Sequence, residues 1–397
     1  MWQVFWVFLA LGCTSFGGPM AHFGYYRQLL VVKKGWLNEQ EFAELMALCN
    51  FLPGPSSSQM GMALGYRQAG YAGAIAAFVG FTLPSFLLMV SAALLWQQGQ
   101  SFSWLAALVH GFKLLAVLVL LDAIRGMWAN LCNTALSRAV ALLTAVFLLL
   151  LPGLWTMMVL MLAAFVIGLL SSKSSGKSIG KAQAANNAVG ASSDQQLSRP
   201  TYVLPIFALI FVMASLLPML LPDTFALIWQ SLFTAGALVF GGGHVVLPLI
   251  ESSALVQQQL STEQYLSAYA LAQAVPGPMF SMAAFLGMQT AGIWGALLAT
   301  LAIFLPGMLL LLALMPYWQR LKQIASLAAG IRLLSAATVG LLLATWYQPV
   351  LTSSLLAPPD MVLLILGGAV LWWWRWPLWS LVLTMAIGSW LLSLLPL

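Results

Sequence analysis

The chain of 397 residues is 62% hydrophobic and only 6% charged, with a mean hydropathy of +0.95. This balance excludes an ordinary soluble domain, and the length supplies about a dozen membrane helices of roughly 20 residues each. The net charge of +6 is ordinary for a membrane protein with basic cytoplasmic loops and gives no indication of nucleic-acid binding. Three cysteines without CxxC spacing predict neither a disulfide framework nor a metal cluster.

The apolar runs are long and continuous, which predicts helices rather than strands and hence an all-α polytopic membrane protein. About thirteen transmembrane segments are expected, six before a polar linker and seven after it. In chain order they cover about 2–30, 39–66, 71–96, 104–124, 135–151, 153–170, 202–221, 225–250, 262–290, 294–316, 326–347, 360–374 and 377–396.

The polar linker covers residues 171–200 and is rich in Ser, Gly, Ala, Asn and Lys. This composition has almost nothing to bury and predicts a flexible cytoplasmic connection. The linker separates an N-terminal repeat, residues 1–170, from a C-terminal repeat, residues 201–397.

The two repeats carry the same marks in the same order. FGGPMAH at 16–22 is matched by FGGGHVV at 240–246, PGP at 53–55 by PGP at 276–278, and FTLPS at 81–85 by IFLPG at 303–307. The offset between the copies drifts only from 224 to 222 residues, which indicates an internal duplication.

The order of the segments predicts that one repeat is inverted relative to the other, since equivalent helices are about seven crossings apart and an odd number reverses direction. With the linker in the cytoplasm, the N-terminus is inside and the C-terminus outside. Most basic residues then lie inside, as expected, but Arg27, Lys33 and Lys34 lie outside. Those three would be cytoplasmic if the segment at 39–66 were a re-entrant hairpin, and both alternatives remain open from the sequence.

Each repeat has two Gly/Pro breaks, one at GGP or GGG and one at PGP. Broken helices are tolerated in a membrane only where they face protein or a polar cavity, and paired breaks in inverted repeats indicate the substrate site of a secondary transporter. A half-helix that starts after PGP presents free N–H groups, which favour an anion. Simple proline kinks are the alternative. The candidate substrate-binding residues at the breaks are Gly17, Gly18, Pro53, Gly54, Ser56, Ser57 and Ser58 in the first repeat and Gly241, Gly242, Gly243, Pro276, Gly277 and Ser281 in the second.

The combination of GGPxAH, GWL, PGP and FxLP, found across both halves, resembles the chromate ion transporter (CHR) family in its long, two-domain form. The resemblance implies a multi-pass protein of the bacterial inner membrane that exports chromate, a tetrahedral dianion. Sulfate has the same shape and charge, so it is a second expected substrate. One departure is Cys49, where the family commonly has Gln; Asn50 fills the position equivalent to Gln273.

Three basic residues are candidates for binding the anion. Lys113 and Arg332 occupy equivalent positions in GFKLL and GIRLL, inside apolar helices where a cation usually marks a function. Snorkelling to the membrane surface is the alternative for both residues. Arg27 follows the GGP break and either binds the anion or belongs to an ordinary basic loop.

Four uncharged or titratable side chains near the breaks complete the candidates. His22 and His244 could bind the oxyanion or carry a proton, or they could be hydrogen-bonded structural histidines. Asn50 and Gln273 precede PGP by three residues and either donate to the substrate or satisfy carbonyls that the prolines free.

Three function classes can be compared on these features. An oxyanion transporter accounts for the duplication, the paired breaks and the sparse basic residues together. No HExxH, GxSxG or acidic metal cluster favours an enzyme, and a scaffold does not need broken helices. The expected partners are therefore a small oxyanion and the lipid bilayer, with no cofactor and no nucleic acid; a homodimer is compatible with the sequence. Import or exchange of another anion is the alternative function.

Overall fold

The computed structural model describes residues 1–99, 103–174, 203–374 and 378–393. Within these ranges the chain forms helices and no strand, which confirms an all-α protein. The helix before the linker extends to Ser174, four residues further than expected. The remainder of the predicted linker, residues 175–200, lies outside the described residues.

The α-helices of six residues or more are numbered in chain order. The first half contains α1 (Trp2–Thr14), α2 (Pro19–Tyr26), α3 (Glu39–Phe51), α4 (Ser56–Gly99), α5 (Ser103–Leu131), α6 (Ala135–Leu150) and α7 (Leu154–Ser174). The second half contains α8 (Val203–Leu216), α9 (Asp223–Leu238), α10 (Val246–Glu251), α11 (Ala254–Gln259), α12 (Thr262–Ala274), α13 (Met282–Leu314), α14 (Ala325–Thr345), α15 (Pro358–Trp372) and α16 (Leu378–Ser393). Short 3₁₀, π or α turns are Arg27–Lys33, Leu217–Leu220, Gly243–Val245, Met279–Ser281, Met315–Tyr317, Trp318–Leu321, Trp346–Leu351 and Thr352–Ser354.

Five helical stretches in the described residues are long and apolar enough to cross a membrane: Ser56–Gln98, Ala107–Leu131, Leu154–Ser171, Met279–Leu321 and Ala325–Ser354. Shorter apolar helices accompany them, among them α1, α6 and α15. The protein is therefore an all-α membrane protein with several apolar helices.

The expected continuous crossing at 39–66 is wrong, because the chain turns back at the PGP break. Arg67, near the end of the segment, forms an ion pair with Glu41 at its start. In a continuous helix these two residues would be about 39 Å apart. The prolines remove backbone donors, and Gly54 takes a φ of 114°, so α3 ends and α4 starts in the opposite direction. The result is a helical hairpin.

The long helix α4 is itself two antiparallel arms, 56–68 and 71–99, joined by a non-helical turn at Ala69 and Gly70. Gly65 and Gly73 lie so close that a Cβ on Gly65 would collide with the Gly73 carbonyl. Residues eight apart on one helix would be separated by about 12 Å. The second arm corresponds to the predicted segment 71–96.

The second half repeats both features. The expected crossing at 262–290 is also a helical hairpin, since the Gln264 amide at its start donates to the Gln289 side chain at its end (3.4 Å). A non-helical turn at Ala291 and Gly292 then reverses α13, with its second arm at 293–314. Capping boxes begin both hairpins, at Asn38 and at Ser261.

The first helix of each half breaks where the sequence predicts, but it also folds back rather than continuing as one span over 2–30 or 225–250. The rings of Phe8 in α1 and Tyr26 in α2 have centroids 5.7 Å apart, against about 27 Å along one helix. In the second half, the Leu255 N–H donates to Ser231 Oγ over 3.2 Å. Each half therefore contains two half-length hairpins.

Glycine contacts hold these hairpins against the long helices. Gly12 of α1 lies against the second arm of α4, where a Cβ would be 2.6 Å from the Phe81 carbonyl oxygen. The equivalent Gly236 of α9 lies against the Ile303 carbonyl of α13. Around them, one buried apolar cluster joins residues of both halves, and a second cluster is formed largely by α1 to α4.

Candidate functional site

The four breaks meet in pairs that link the two halves. The Gly54 N–H donates to the Val239 carbonyl (2.8 Å), and the Gly277 N–H donates to the Ser15 carbonyl (2.9 Å). Val239 and Ser15 occupy equivalent positions at the ends of α9 and α1. We call these two pairings the Gly54 junction (53–55 with 239–242) and the Gly277 junction (276–278 with 15–18).

Glycine is required at both junctions by backbone angle and by space. Gly54 has a φ of 114°, and a Cβ there would lie 2.9 Å from the Gly307 Cα. Gly277 has a φ of 109°, and its Cβ would lie 2.9 Å from the Ser85 side chain. The two glycine N–H groups form the bonds between the halves.

The GGP and GGG breaks face each other across the two halves. The position of a Cβ on Gly18 is 4.0 Å from His244 Nε2, and that on Gly243 is 3.8 Å from Pro19. Gly17, Gly18, Gly241 and Gly242 are partly exposed there, whereas Gly243 is buried. His244 Nδ1 shares a 2.8 Å hydrogen bond with the Tyr269 hydroxyl, which fits the structural interpretation of this histidine.

The half-helices after PGP begin with buried serines. Ser56, Ser57 and Ser58 are all buried at the start of α4, and Ser281 is buried just before α13. The hydroxyls of Ser58 and Ser281, which are equivalent residues, have no hydrogen-bond partner. Two hydroxyl donors are therefore free at the positions where the sequence predicted anion contacts.

His22 lies in the core beside the Gly277 junction. The side chain is 1% exposed, its ring meets the Phe81 ring edge-on at 5.3 Å, and neither ring nitrogen has a well-formed hydrogen bond. Ser15 and Thr82 are also buried with unpartnered hydroxyls. Sequence reasoning missed Ser15 and Thr82; their only signal was their position beside the FGG and FTLP marks.

The Gly54 junction is closed by another side chain that the sequence did not single out. Gln59 is fully buried, and its amide donates to the carbonyls of Pro53 (2.8 Å) and Gly307 (2.9 Å). Gln59 thus performs the task proposed for Asn50, which is exposed. Gln273 is buried, and its amide contacts the sulfur of Met279.

The three candidate cations are placed differently from one another. Arg27 is exposed and makes two hydrogen bonds to Glu39, of 2.8 and 2.7 Å. Arg332 is exposed on α14. Lys113 is buried, with a side-chain exposure of 7%, and its Nζ lies 3.5 Å from Glu263 at the start of α12. Of the three, only Lys113 is a buried charge.

If the resemblance to the CHR family holds, we expect Lys113→Gln to raise the half-saturating chromate concentration for transport, because it removes the buried charge beside α12. Arg332→Gln should leave that concentration unchanged, since an exposed cation can be hydrated or can snorkel. Initial rates of chromate uptake into inverted vesicles, normalised to protein content, measure both. Equal effects of the two substitutions would contradict this difference in role.

Charged residues gather at the open end of the first PGP hairpin. Glu44 pairs with Lys322 (3.2 Å) and accepts from Gln319 (2.9 Å), which ties the hairpin to the chain after α13. The Asn38 backbone N–H and the Arg67 guanidinium lower the pKa of the Glu41 carboxyl. A polar cavity of about 260 Å³ opens between these groups.

A larger cavity of about 890 Å³ lies elsewhere, between α5, α15 and the turn at Trp346–Leu351. Its lining is apolar, and the indole N–H groups of Trp346 and Trp372 already bond to Val117 and Asp122. This cavity does not suit an oxyanion. The described part of the chain also contains no cluster of His, Cys, Asp or Glu that could hold a metal ion.

The fold and the junctions define a class: a polytopic α-helical membrane protein whose two halves place broken, re-entrant helices together in the core, an arrangement typical of secondary transporters. A family model described as "Chromate transporter" matches residues 2–169 and 226–390. The chain belongs to the chromate transporter family.

Individual relatives agree with this membership. The chain is 28% identical over 315 residues to a probable chromate transport protein of Synechococcus elongatus, covering 79% of this chain and 75% of that protein. It is 27% identical over 347 residues to a chromate transport protein of Pseudomonas aeruginosa, covering 86% and 79%. An uncharacterized transporter of Methanocaldococcus jannaschii is 27% identical over 348 residues, covering 86% and 82%. No solved structure shows significant similarity to the chain.

Proposed function

We propose that this protein is a secondary transporter that exports chromate, a tetrahedral oxyanion, across the bacterial inner membrane. The observation that carries the proposal is the meeting of four broken helices in the core, where buried hydroxyls have no hydrogen-bond partner and the His22 ring has no well-formed hydrogen bond. Relatives named as chromate transport proteins support chromate as the substrate. Sulfate, with the same shape and charge, is the natural competitor.

The fold leads to a topology with nine crossings and four re-entrant hairpins in place of thirteen crossings. The crossings are the second arm of α4, then α5, α6, α7 and α8, then the second arm of α13, then α14, α15 and α16. The two equivalent arms, 71–99 and 293–314, are five crossings apart. Because five is odd, the two halves remain inverted relative to each other.

Charge supports this topology. With the linker in the cytoplasm, both hairpins of the first half enter from the cytoplasmic side, so Arg27, Lys33 and Lys34 move inside. Of the 15 Lys and Arg residues, Lys113 is then the one placed in the periplasmic half. Two side-chain pairs are consistent with this topology. Lys322 and Glu44 pair on the cytoplasmic side, and His110 and Asp360 (2.6 Å) pair on the periplasmic side.

This topology predicts a cytoplasmic N-terminus, a periplasmic C-terminus and a cytoplasmic loop at Lys34. Reporters at the two termini should report opposite sides, since nine crossings is an odd number. A reporter inserted after Lys34 discriminates between the models, because thirteen full crossings would place that loop outside. A periplasmic signal there would overturn the hairpin assignment.

Export of a dianion does not require proton coupling. A cell that is negative inside favours exit by ~2.3 kcal/mol per charge per 100 mV. We therefore propose that the membrane potential suffices to drive export.

Transport itself is tested with radiolabelled chromate in inverted vesicles, with an imposed potential and with sulfate as competitor. We expect chromate accumulation that depends on the protein and rises with the potential. Accumulation of sulfate but not chromate would favour the alternative substrate. A purified protein that moves neither anion would refute the proposed function.

A further inference from the structure

The two junctions differ in the chemistry of their side chains. Beside the Gly277 junction, four buried residues carry polar atoms without a well-formed hydrogen bond: Ser15, His22, Thr82 and Ser281. The residues equivalent to the first three, beside the Gly54 junction, are Val239, Val246 and Phe304. Only the fourth has a polar counterpart, Ser58. The duplication has therefore kept the backbone pairing, while most of the unpartnered polar groups lie beside the Gly277 junction.

Backbone bonds and packing place the four polar residues around Gly277. The Ser15 backbone carbonyl accepts the Gly277 N–H, and Ser281 follows four residues later, with its N–H bonded to the Pro278 carbonyl (3.0 Å). A Cβ on Gly277 would be 3.5 Å from the Phe81 carbonyl. Phe81 contacts the His22 ring and precedes Thr82 in the chain. One small region of the core therefore contains all four groups.

The Gly54 junction has the opposite character. Gln59 donates its amide hydrogens to the Pro53 and Gly307 carbonyls. Its own side-chain carbonyl oxygen is buried without a hydrogen-bond partner. A buried acceptor repels an anion, because it offers no hydrogen to the oxyanion. The residue equivalent to Gln59 in the second half is Met282, which can make no such closure.

Resting on the proposed function, we propose that the oxyanion binds at the Gly277 junction alone, one anion per chain, with the hydroxyls of Ser15, Thr82 and Ser281 and the His22 ring as its hydrogen-bond donors. Unpaired donors buried in a core are costly and uncommon. A tetrahedral oxyanion presents four acceptor oxygens, and donors to a charged acceptor form the stronger class of hydrogen bond. Ser15 and Thr82 are thereby assigned to substrate binding.

The test measures the dissociation constant of radiolabelled chromate, and separately of sulfate, by equilibrium dialysis of the purified full chain in lipid nanodiscs. Ser15→Ala and Thr82→Val should each weaken binding about 10- to 100-fold, the effect of one hydrogen bond to a charged group. Wild-type protein should bind about one anion per chain. The isosteric Thr82→Val keeps the test usable if Ser15→Ala does not fold.

Matched controls use buried hydroxyls that bond within their own helices. Thr300 donates to the Ala296 carbonyl (2.8 Å), and Ser354 donates to the Val350 carbonyl. Thr300→Val and Ser354→Ala should bind chromate like the wild type. A loss of affinity in these controls equal to that of Thr82→Val would show a general packing effect and overturn the assignment.

Three further results would each count against the inference, and each identifies what has failed. If Ser58→Ala weakens binding more than Ser281→Ala, or if two anions bind per chain, the Gly54 junction binds the anion. If wild-type protein binds neither chromate nor sulfate, the proposed function itself fails. Normal transport with unchanged affinity in Ser15→Ala and Thr82→Val refutes the site and leaves the transport function standing.

Discussion

If the protein exports chromate as proposed, replacing Gly54 or Gly277 by valine will abolish that export while the protein remains in the membrane. Both glycines have positive φ angles, 114° and 109°, which side chains rarely adopt. A Cβ would also press on the Gly307 Cα or on the Ser85 side chain. Because each N–H bonds to the other half of the chain, moving either turn breaks a contact that joins the two halves. Chromate uptake into inverted vesicles measures the loss of export. The amount of protein in the membrane fraction shows that the variant is still inserted.

Gly126→Val is the matched control, since Gly126 lies on the long helix α5 with no atom within 4 Å of its Cβ position. It should export normally. A purified Gly54→Val protein that binds and exports chromate like the wild type would show that the PGP break is architectural.

Valine at Gly65 or Gly287 will have a different effect, the loss of folded protein. These glycines lie against Gly73 and Gly295, at the turns where α4 and α13 reverse direction. A side chain there would meet backbone atoms of the facing arm, which cannot move as a flexible side chain can. The two arms would separate, so we expect aggregation rather than a monodisperse peak on size-exclusion chromatography in detergent.

Gly24→Val controls for a bulkier residue on a helix, because nothing lies within 4 Å of its Cβ position on α2. It should elute as the wild type does. If Gly65→Val were monodisperse and as heat-stable as the wild type, the close packing of the two arms would not be needed for the reversal.

The positions of the breaks could be read from the sequence, but the direction of the chain after them could not. Proline and glycine determine where a helix must stop, because they remove donors and relax the backbone angles. Whether the next helix continues or returns depends on contacts between distant residues, such as Arg67 with Glu41. The outside position of Lys33 and Lys34 was the one sequence feature that favoured a hairpin.

Only part of the candidate site could be predicted, because the sequence argument used residues that both repeats share. Searching for marks shared by both repeats finds Gly54, Gly277, Ser58 and Ser281, which the duplication preserves. It overlooks Ser15 and Thr82, whose counterparts Val239 and Phe304 are apolar. Equivalent positions also differ in environment, as buried Lys113 and exposed Arg332 show. A comparison of the two repeats cannot detect a functional residue that is present in only one of them.

The reciprocal bonds between the halves have a consequence for the assembly of the protein during synthesis. The first half is synthesised before Val239 and Gly277. Until those residues are made, the Gly54 N–H and the Ser15 carbonyl lie in the membrane without their hydrogen-bond partners. An unpaired backbone group in hydrocarbon is costly, which makes the first half alone an unstable intermediate. Co-expressed halves should therefore protect each other from proteolysis. In the intact chain, the covalent connection keeps the second half close to the first until both junctions form.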